Sequence, residues 1–505
     1  MRALRRIVAA LVALVGVVVV AHVVALVLAI SAFFVKLSVE DVDHQAWLDD
    51  FDLLVRHTSA VYPNLEWVQE HRHLDLKKLH DETRAAINDA RIDGDAEDAI
   101  KAFVESFGDD HFRIVRPRFF QGVGRWLEGR DAEVDAAHKP VTDLERWRVD
   151  APSLIRKDSK AAKACAELGF HAGDSSFRFS LPPGARRLDA DGVALDFPTA
   201  VVVTSSGLRL GLLRIPDFMR ESYVSACMQA WESWQSGSTG DCDESCQHDL
   251  RYVDVERAIL AAVTVRIEQL REEQVDMLVV DVCGNAGGHT WADTVAQMTT
   301  PTTLPCARKR FIKHPHWEHR FERQRRWLTR TLPESQESTA QLDRMGRLIA
   351  EAAERCDRAA VWRGRDPGCT LLGATALSSC DEEFAVVPPS AEEQSALSPP
   401  ALWEGRLAVI VDGGTASAAA HFSALLQDAG AASIVGEHTA GAGGGYSEGG
   451  VPVVLPHSGW QIEIPDFLEL RANGDNEMEG VQPDVVVPRE EFSKKLWEAL
   501  AHLPR

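Results

Sequence analysis

Ser417 stands where an apolar run breaks through two glycines into a helical pattern, in VDGGTASAAAHFSALLQDAG, residues 411–430. A hydroxyl in the first turn of a helix meets unpaired N–H groups and the positive end of the dipole. Both stabilise an oxyanion developing on whatever that oxygen attacks. The same position also suits plain helix capping by Thr415 or Ser417, and the motif alone leaves both readings open. A second apolar run ends in MLVVDVCGNAGGH, residues 277–289, where Gly284, Asn285, Gly287 and Gly288 either present backbone N–H groups or only turn the chain. His111, in GDDHFRIV, offers an imidazole suited to general-base work near neutral pH, or is a loop histidine satisfied by backbone. His314, His316 and His319 lie in an Arg-rich stretch without Cys or carboxylate at regular spacing, so a solvated surface rather than a metal site is expected there. No P-loop or dinucleotide fingerprint occurs, and no cofactor is expected.

The elements that must hold these residues follow from periodicity. Residues Gln45 to Phe107 read as helical, ending with Ile100, Phe103, Val104 and Phe107 at i, i+3, i+4 and i+7 before Gly108. Leu208–Ile215 reads as a strand, Val253–Leu270 as an amphipathic helix, and 277–282 as a buried strand. After the break at 301, a strand at 407–412 and a helix from Ser417 to Ala429, stopped by Gly430, resume the same grammar. Apolar strands alternating with helices imply an α/β fold with a mixed sheet covered by helices. The expected organisation is an anchor over 1–36, a helical domain over 40–115, a mixed region of unassigned fold over 116–200, and a core formed by 201–300 and 400–490. Residues 301–399, with four cysteines, read as an insertion. No convincing peptide-binding PDZ module is seen in 116–200.

A chain of 505 residues has room for two or three domains, and a net charge of −22 argues against a nucleic-acid partner. Arg2, Arg5 and Arg6 precede an apolar run from Ile7 to Val35 that exceeds the ~20 residues needed to span a bilayer. This predicts a single-pass signal anchor in the cytoplasmic (inner) membrane with the body extracytoplasmic, in the periplasm or its equivalent. Cleavage near Ala29-Ile30-Ser31 is the alternative. Nine cysteines fit an oxidising compartment, with Cys283, at the end of an apolar run, expected to be a buried free thiol.

Four segments in this order resemble one family. DVCGNAGGH is similar to the D-x-R-x-N-x-G-G turn of tail-specific (C-terminal-processing) serine proteases, and TASAAAHF to their S-A-S-A-A-E turn. GEHTAG and GVQPDVVVP are similar to their G-x-x-T-x-G and G-v-x-P-D elements, and FGDDHFRI to the end of their helical entry domain. The resemblance implies a crotonase-related core preceded by a small helical domain, with Ser417 as nucleophile acting on a polypeptide substrate. Where many members carry the lysine of a Ser-Lys dyad, this sequence has Ala442. The tricorn-like branch instead uses a histidine and a glutamate, and the matching positions are His111 and Glu477. Asp110 and Glu479 are their possible relays. Backbone N–H groups of Gly287, Gly288 and Ala418 are the implied oxyanion donors. Ala442, Ala420 and Cys283 depart from the family pattern, which keeps a second reading in play: a catalytically inactive scaffold of the cell envelope that binds rather than cleaves.

Overall fold

The computed structural model describes residues 42–115, 159–237, 242–305, 308–331, 336–354, 358–366, 401–441, 444–447 and 450–504. The expected anchor over 1–36, residues 116–158, Ala442, and Cys306, Cys356, Cys369 and Cys380 lie outside them. Among the described residues, no helix is long and apolar enough to cross a membrane.

The described residues open with four helices, α1 His44–Val61, α2 Leu65–His71, α3 Leu76–Asp89 and α4 Asp93–Glu105. On α4, Ile100, Phe103 and Val104 are buried, and Phe107 follows just past its end. Asp43 and Asp75 each accept a backbone N–H in the first turn of α1 and α3, which satisfies donors that the helix itself cannot. Helices α5 Lys160–Glu167, α6 Val224–Gly237, α7 Val255–Glu272, α8 Trp291–Met298, α9 Pro315–Thr331, α10 Gln336–Ala353 and α11 Ala418–Asp428 follow.

The strands, in chain order, are β1 Arg113–Val115, β2 Arg186–Arg187, β3 Thr199–Val203, β4 Arg209–Arg214, β5 Met277–Asp281, β6 Arg308–Phe311, β7 Arg406–Val411, β8 Ser433–Gly436, β9 Val453–Val454, β10 Gln461–Glu463, β11 Phe467–Leu470 and β12 Val485–Val486. Seven of them form one mixed sheet, ordered β12-β8-β7-β5-β4-β3-β2. Its β4-β5-β7-β8-β12 part is parallel, while β2, β3 and β4 run antiparallel. Both faces are buried, because successive side chains alternate. Leu278 and Val280 of β5 with Leu407, Val409 and Val411 of β7 face α7, α8 and α11. Met277, Val279, Ala408 and Ile410 face Phe177, Phe179 and the C-terminal Phe492 and Leu496. Burying each of the valine, leucine, isoleucine, methionine and phenylalanine side chains among these stabilises the fold by about 1.5–3 kcal/mol.

The sheet begins at Arg186, well before the boundary expected near residue 200. The segment read as an insertion is also joined to the core. Its β6 pairs antiparallel with β11, Phe311 opposite Phe467, and Phe311, Trp317 and Phe321 pack with Met345 of α10. Nor is the histidine group there solvated throughout. His316 Nε2 lies 2.8 Å from Asp466 Oδ2 and 3.2 Å from Ser447 Oγ, because the β6–β11 pairing carries the start of α9 onto that loop.

A disulfide joins Cys165 of α5 to Cys227 of α6, 62 residues apart, and a second joins Cys242 to Cys246. Cys283 is a buried free thiol. Closing so long a loop restricts the unfolded chain. Replacing Cys165 and Cys227 by serine is expected to cost about 2–4 kcal/mol, read as a lower midpoint in urea unfolding.

Candidate active site

Both glycine-rich turns leave the same end of the parallel strands β5 and β7, where α/β sheets open their binding crevice. They are stitched together at that end. Asp412 Oδ1 accepts from the Gly284 N–H at 2.7 Å and the Gly414 N–H at 3.0 Å, and the Thr415 hydroxyl donates to the Val282 carbonyl at 3.0 Å. The Ala416 N–H donates to the Asn285 carbonyl at 3.0 Å.

Ser417 immediately precedes α11 with φ 49 and ψ −127, a conformation that L side chains rarely adopt. Such strain costs about 1–3 kcal/mol and persists only where surrounding contacts over-determine it. Its side chain makes no capping bond, so the capping alternative does not describe it. The hydroxyl instead lies 3.1 Å from His111 Nε2. These two residues stand 306 positions apart in the chain.

His111 is placed by the turn between α4 and β1. Phe112 is buried in the helical domain's core, and β1 pairs antiparallel with β10. The Tyr446 hydroxyl donates to the His111 carbonyl. Asp109, not Asp110, faces the imidazole. Its Oδ1 lies 3.6 Å from His111 Nδ1 and accepts the His111 N–H at 2.9 Å, while Tyr62 donates its hydroxyl to Oδ2 at 2.9 Å. Burial, reinforced by the Asp109 charge, pushes the Tyr62 hydroxyl well above its usual pKa, so it remains a donor. Asp110 is exposed.

Glu477 is buried but does not reach the His111–Ser417 pair. Its carboxylate meets His421 Nδ1 at 2.8 and 3.0 Å, because the short turn Glu477–Glu479 packs against α11. Glu479 is exposed. Around His421 lie further charges that the sequence did not single out. Asp293 Oδ1 of α8 is 3.5 Å from His421 Nε2, and Lys309 Nζ of β6 is 3.7 Å from Glu469 of β11. Burial works against charge on Glu469, yet Lys309 and His421 hold its carboxyl below the usual range. His111 adds to that pull.

Of the implied oxyanion donors, the Gly287 N–H is already taken by Asn285 Oδ1 at 2.9 Å. The Gly288 and Ala418 amides have no acceptor among the described residues. Gly287 nevertheless touches the serine turn. A Cβ there would fall 2.5 Å from Ser417 Cβ and 2.7 Å from the Ala418 nitrogen. The side chains that meet at Ser417 thus comprise a hydroxyl, an imidazole and a tyrosine-held carboxylate, an array able to transfer a proton from an attacking oxygen.

Among solved structures, the chain is similar to mature CPAF complexed with lactacystin, at TM-score 0.54 and 15% identity over 90% of this chain and 97% of that one. The crystal structure of mature CPAF is also similar, at TM-score 0.50 and 15% identity over 90% and 95%. Identity so low speaks for a shared fold alone. No curated protein sequence matches the chain. The family model for peptidase family S41 matches residues 250–487, a stretch that holds both stitched turns, Ser417 and Glu477 but not His111. The match spans just under half of the 505 residues, and over that stretch the chain is similar to peptidase family S41.

Proposed function

We propose that this protein is a serine peptidase in which Ser417 attacks the peptide carbonyl and His111 is the general base. The contact of 3.1 Å between His111 Nε2 and Ser417 Oγ carries the reading, since a nucleophile and its base must lie within hydrogen-bond reach. In the first step His111 Nε2 takes the hydroxyl proton as Oγ bonds to the carbonyl carbon. The imidazolium so formed faces Asp109 through Nδ1, and Asp109 is steadied by Tyr62. Negative charge on the former carbonyl oxygen is directed toward the Ala418 and Gly288 amides, at the positive end of α11. His111 then passes the proton to the leaving amine, and water repeats the sequence on the acyl-enzyme.

Ala442 does not disable this scheme, because the base comes from the helical domain rather than from the position of the family lysine. The scaffold reading would leave the Ser417–His111 contact and the strained turn without a purpose. We place the folded body outside the cytoplasm, supported by the two disulfides and by the apolar run over 7–35. Glu477 is not assigned to His111.

The direct test is hydrolysis of an unstructured protein by the oxidised protein, with covalent capture by a fluorophosphonate and mass spectrometry of the labelled peptide. Label on Ser417 together with cleavage supports the reading. Neither label nor cleavage from a folded sample refutes it. Gly287→Ala should be harmful although its amide is engaged elsewhere: at φ +94 the new methyl would displace Ser417. A shift near 1 Å in a reacting group lowers rate on the order of 10²-fold, so kcat is expected to fall by about that factor in steady-state assays.

A further inference from the structure

The family resemblance places Glu477 in the catalytic apparatus, yet in this chain its carboxylate is occupied by His421, one helical turn after the nucleophile. That pairing forms part of a closed ring of contacts. The Ser417 N–H donates to the Gly441 carbonyl at 2.9 Å. Gly441, at φ +90, lies so close to the Met478 and Glu477 carbonyls that a Cβ would meet them at 2.7 and 3.0 Å. The Glu477 carboxylate holds His421 Nδ1, and the His421 N–H donates to the Ser417 carbonyl at 2.9 Å. Thr439 Oγ1 accepts the Val481 N–H at 2.7 Å and fastens the two loop segments side by side. In this ring the one side-chain pair is His421 with Glu477.

We infer that His421 is a positioning residue for Ser417, held as an imidazolium between Glu477 and Asp293 so that it locks the strained turn of the nucleophile in place. The inference rests on the reading of Ser417 as nucleophile. The charge state follows from geometry. A neutral imidazole can donate from one nitrogen only, whereas His421 has a carboxylate at both, with Glu477 at 2.8 Å from Nδ1 and Asp293 at 3.5 Å from Nε2. Every packed element contributes to the balance: Glu477 from its turn, Glu469 from β11, Asp293 from α8, Lys309 from β6, with Arg471 acting on Glu477. Burial by itself would discharge His421, but Glu477, Glu469 and Asp293 together raise it to about 10. The contribution is therefore complete below 6.5, declines as pH rises above that, and is lost once pH passes through about 10.

His421, Glu469 and Glu477 also present donor atoms within 4.8 Å of one another, a spacing compatible with a metal ion. A divalent cation would have to displace the shared proton and sit beside Lys309, so the proton is the occupant that the charges favour.

The test compares fluorophosphonate labelling rates of the full chain with those of Ser417→Ala, His421→Leu, and the double variant His421→Asn with Glu477→Gln. The double variant replaces the ion pair by an uncharged amide pair. Near-UV circular dichroism checks folding in each. The expected result is no label on Ser417→Ala and labelling of His421→Leu slowed about 10²-fold, the scale of a slightly misplaced nucleophile. KM for an unstructured substrate should change little, and the double variant should recover to within about tenfold of the parent rate. The parent should lose labelling as pH rises through about 10, while the double variant, having no imidazolium to discharge, lacks that step. This comparison decides the matter even if His421→Leu fails to fold. Parental labelling of folded His421→Leu, with Ser417→Ala unlabelled, overturns the inference and leaves the nucleophile standing. Label persisting in Ser417→Ala removes the nucleophile and the inference together. A chelator that slows labelling of the parent would put a metal where we place a proton, and overturns it as well.

Discussion

Ser417→Ala is expected to lower kcat on an unstructured protein substrate by about 10⁴- to 10⁶-fold, the loss seen when a serine hydrolase is deprived of its nucleophile. Substrate affinity should survive, since the backbone amides near Ser417 are unchanged. The variant should also be no less stable than the parent, because the hydroxyl makes no capping bond and its contact within the site is with His111. The strain belongs to the backbone and remains with alanine. Glycine does not suffer it at φ 49, so Ser417→Gly should be inactive yet more stable by about 1 kcal/mol. Paired activity and urea-unfolding measurements separate the two effects. An active Ser417→Ala would end the peptidase assignment to this turn.

His111→Ala is expected to cost about 10³- to 10⁵-fold in kcat, with KM within a few-fold, because a base acts in the transition state and adds little to ground-state binding. The neighbouring fold should tolerate the change. The ring is partly exposed, and what holds the segment is Phe112 in the core, the β1–β10 pairing and the Tyr446 bond to a backbone carbonyl. Small imidazoles added to the variant should restore part of the rate through the vacated space. Undiminished cleavage by a folded His111→Ala would show that the proton leaves Ser417 by a route other than this imidazole.

How much of this was legible in the sequence differs between elements for physical reasons. Strands β5 and β7 were readable as unbroken apolar runs because both faces of the sheet are covered, and the glycine turns after them marked where the chain leaves it. The pairing of Ser417 with His111 came from family resemblance, since no local pattern links residues so far apart. The partner of Glu477 was not readable. His421 fell within an ordinary helical stretch, and only the packing of the 477–479 turn on α11 brings the two together. Asp109 and Asp110 were likewise indistinguishable as adjacent carboxylates. The direction of the turn buries the first against Tyr62 and exposes the second. The occupied Gly287 amide depended on an Asn285 rotamer, which sequence does not specify.

The antiparallel pairing of β6 with β11 bears on how this architecture can change over evolutionary time. A segment looped out between two core strands would ordinarily be a removable accessory, free to lengthen, shrink or vanish in descendants. Here its excision would strip β11 of its neighbour and leave Glu469 facing His421 without the countercharge of Lys309. The segment has thus become a dependency of the region behind Ser417, and shortening it would require compensating substitutions at Glu469 in the same lineage.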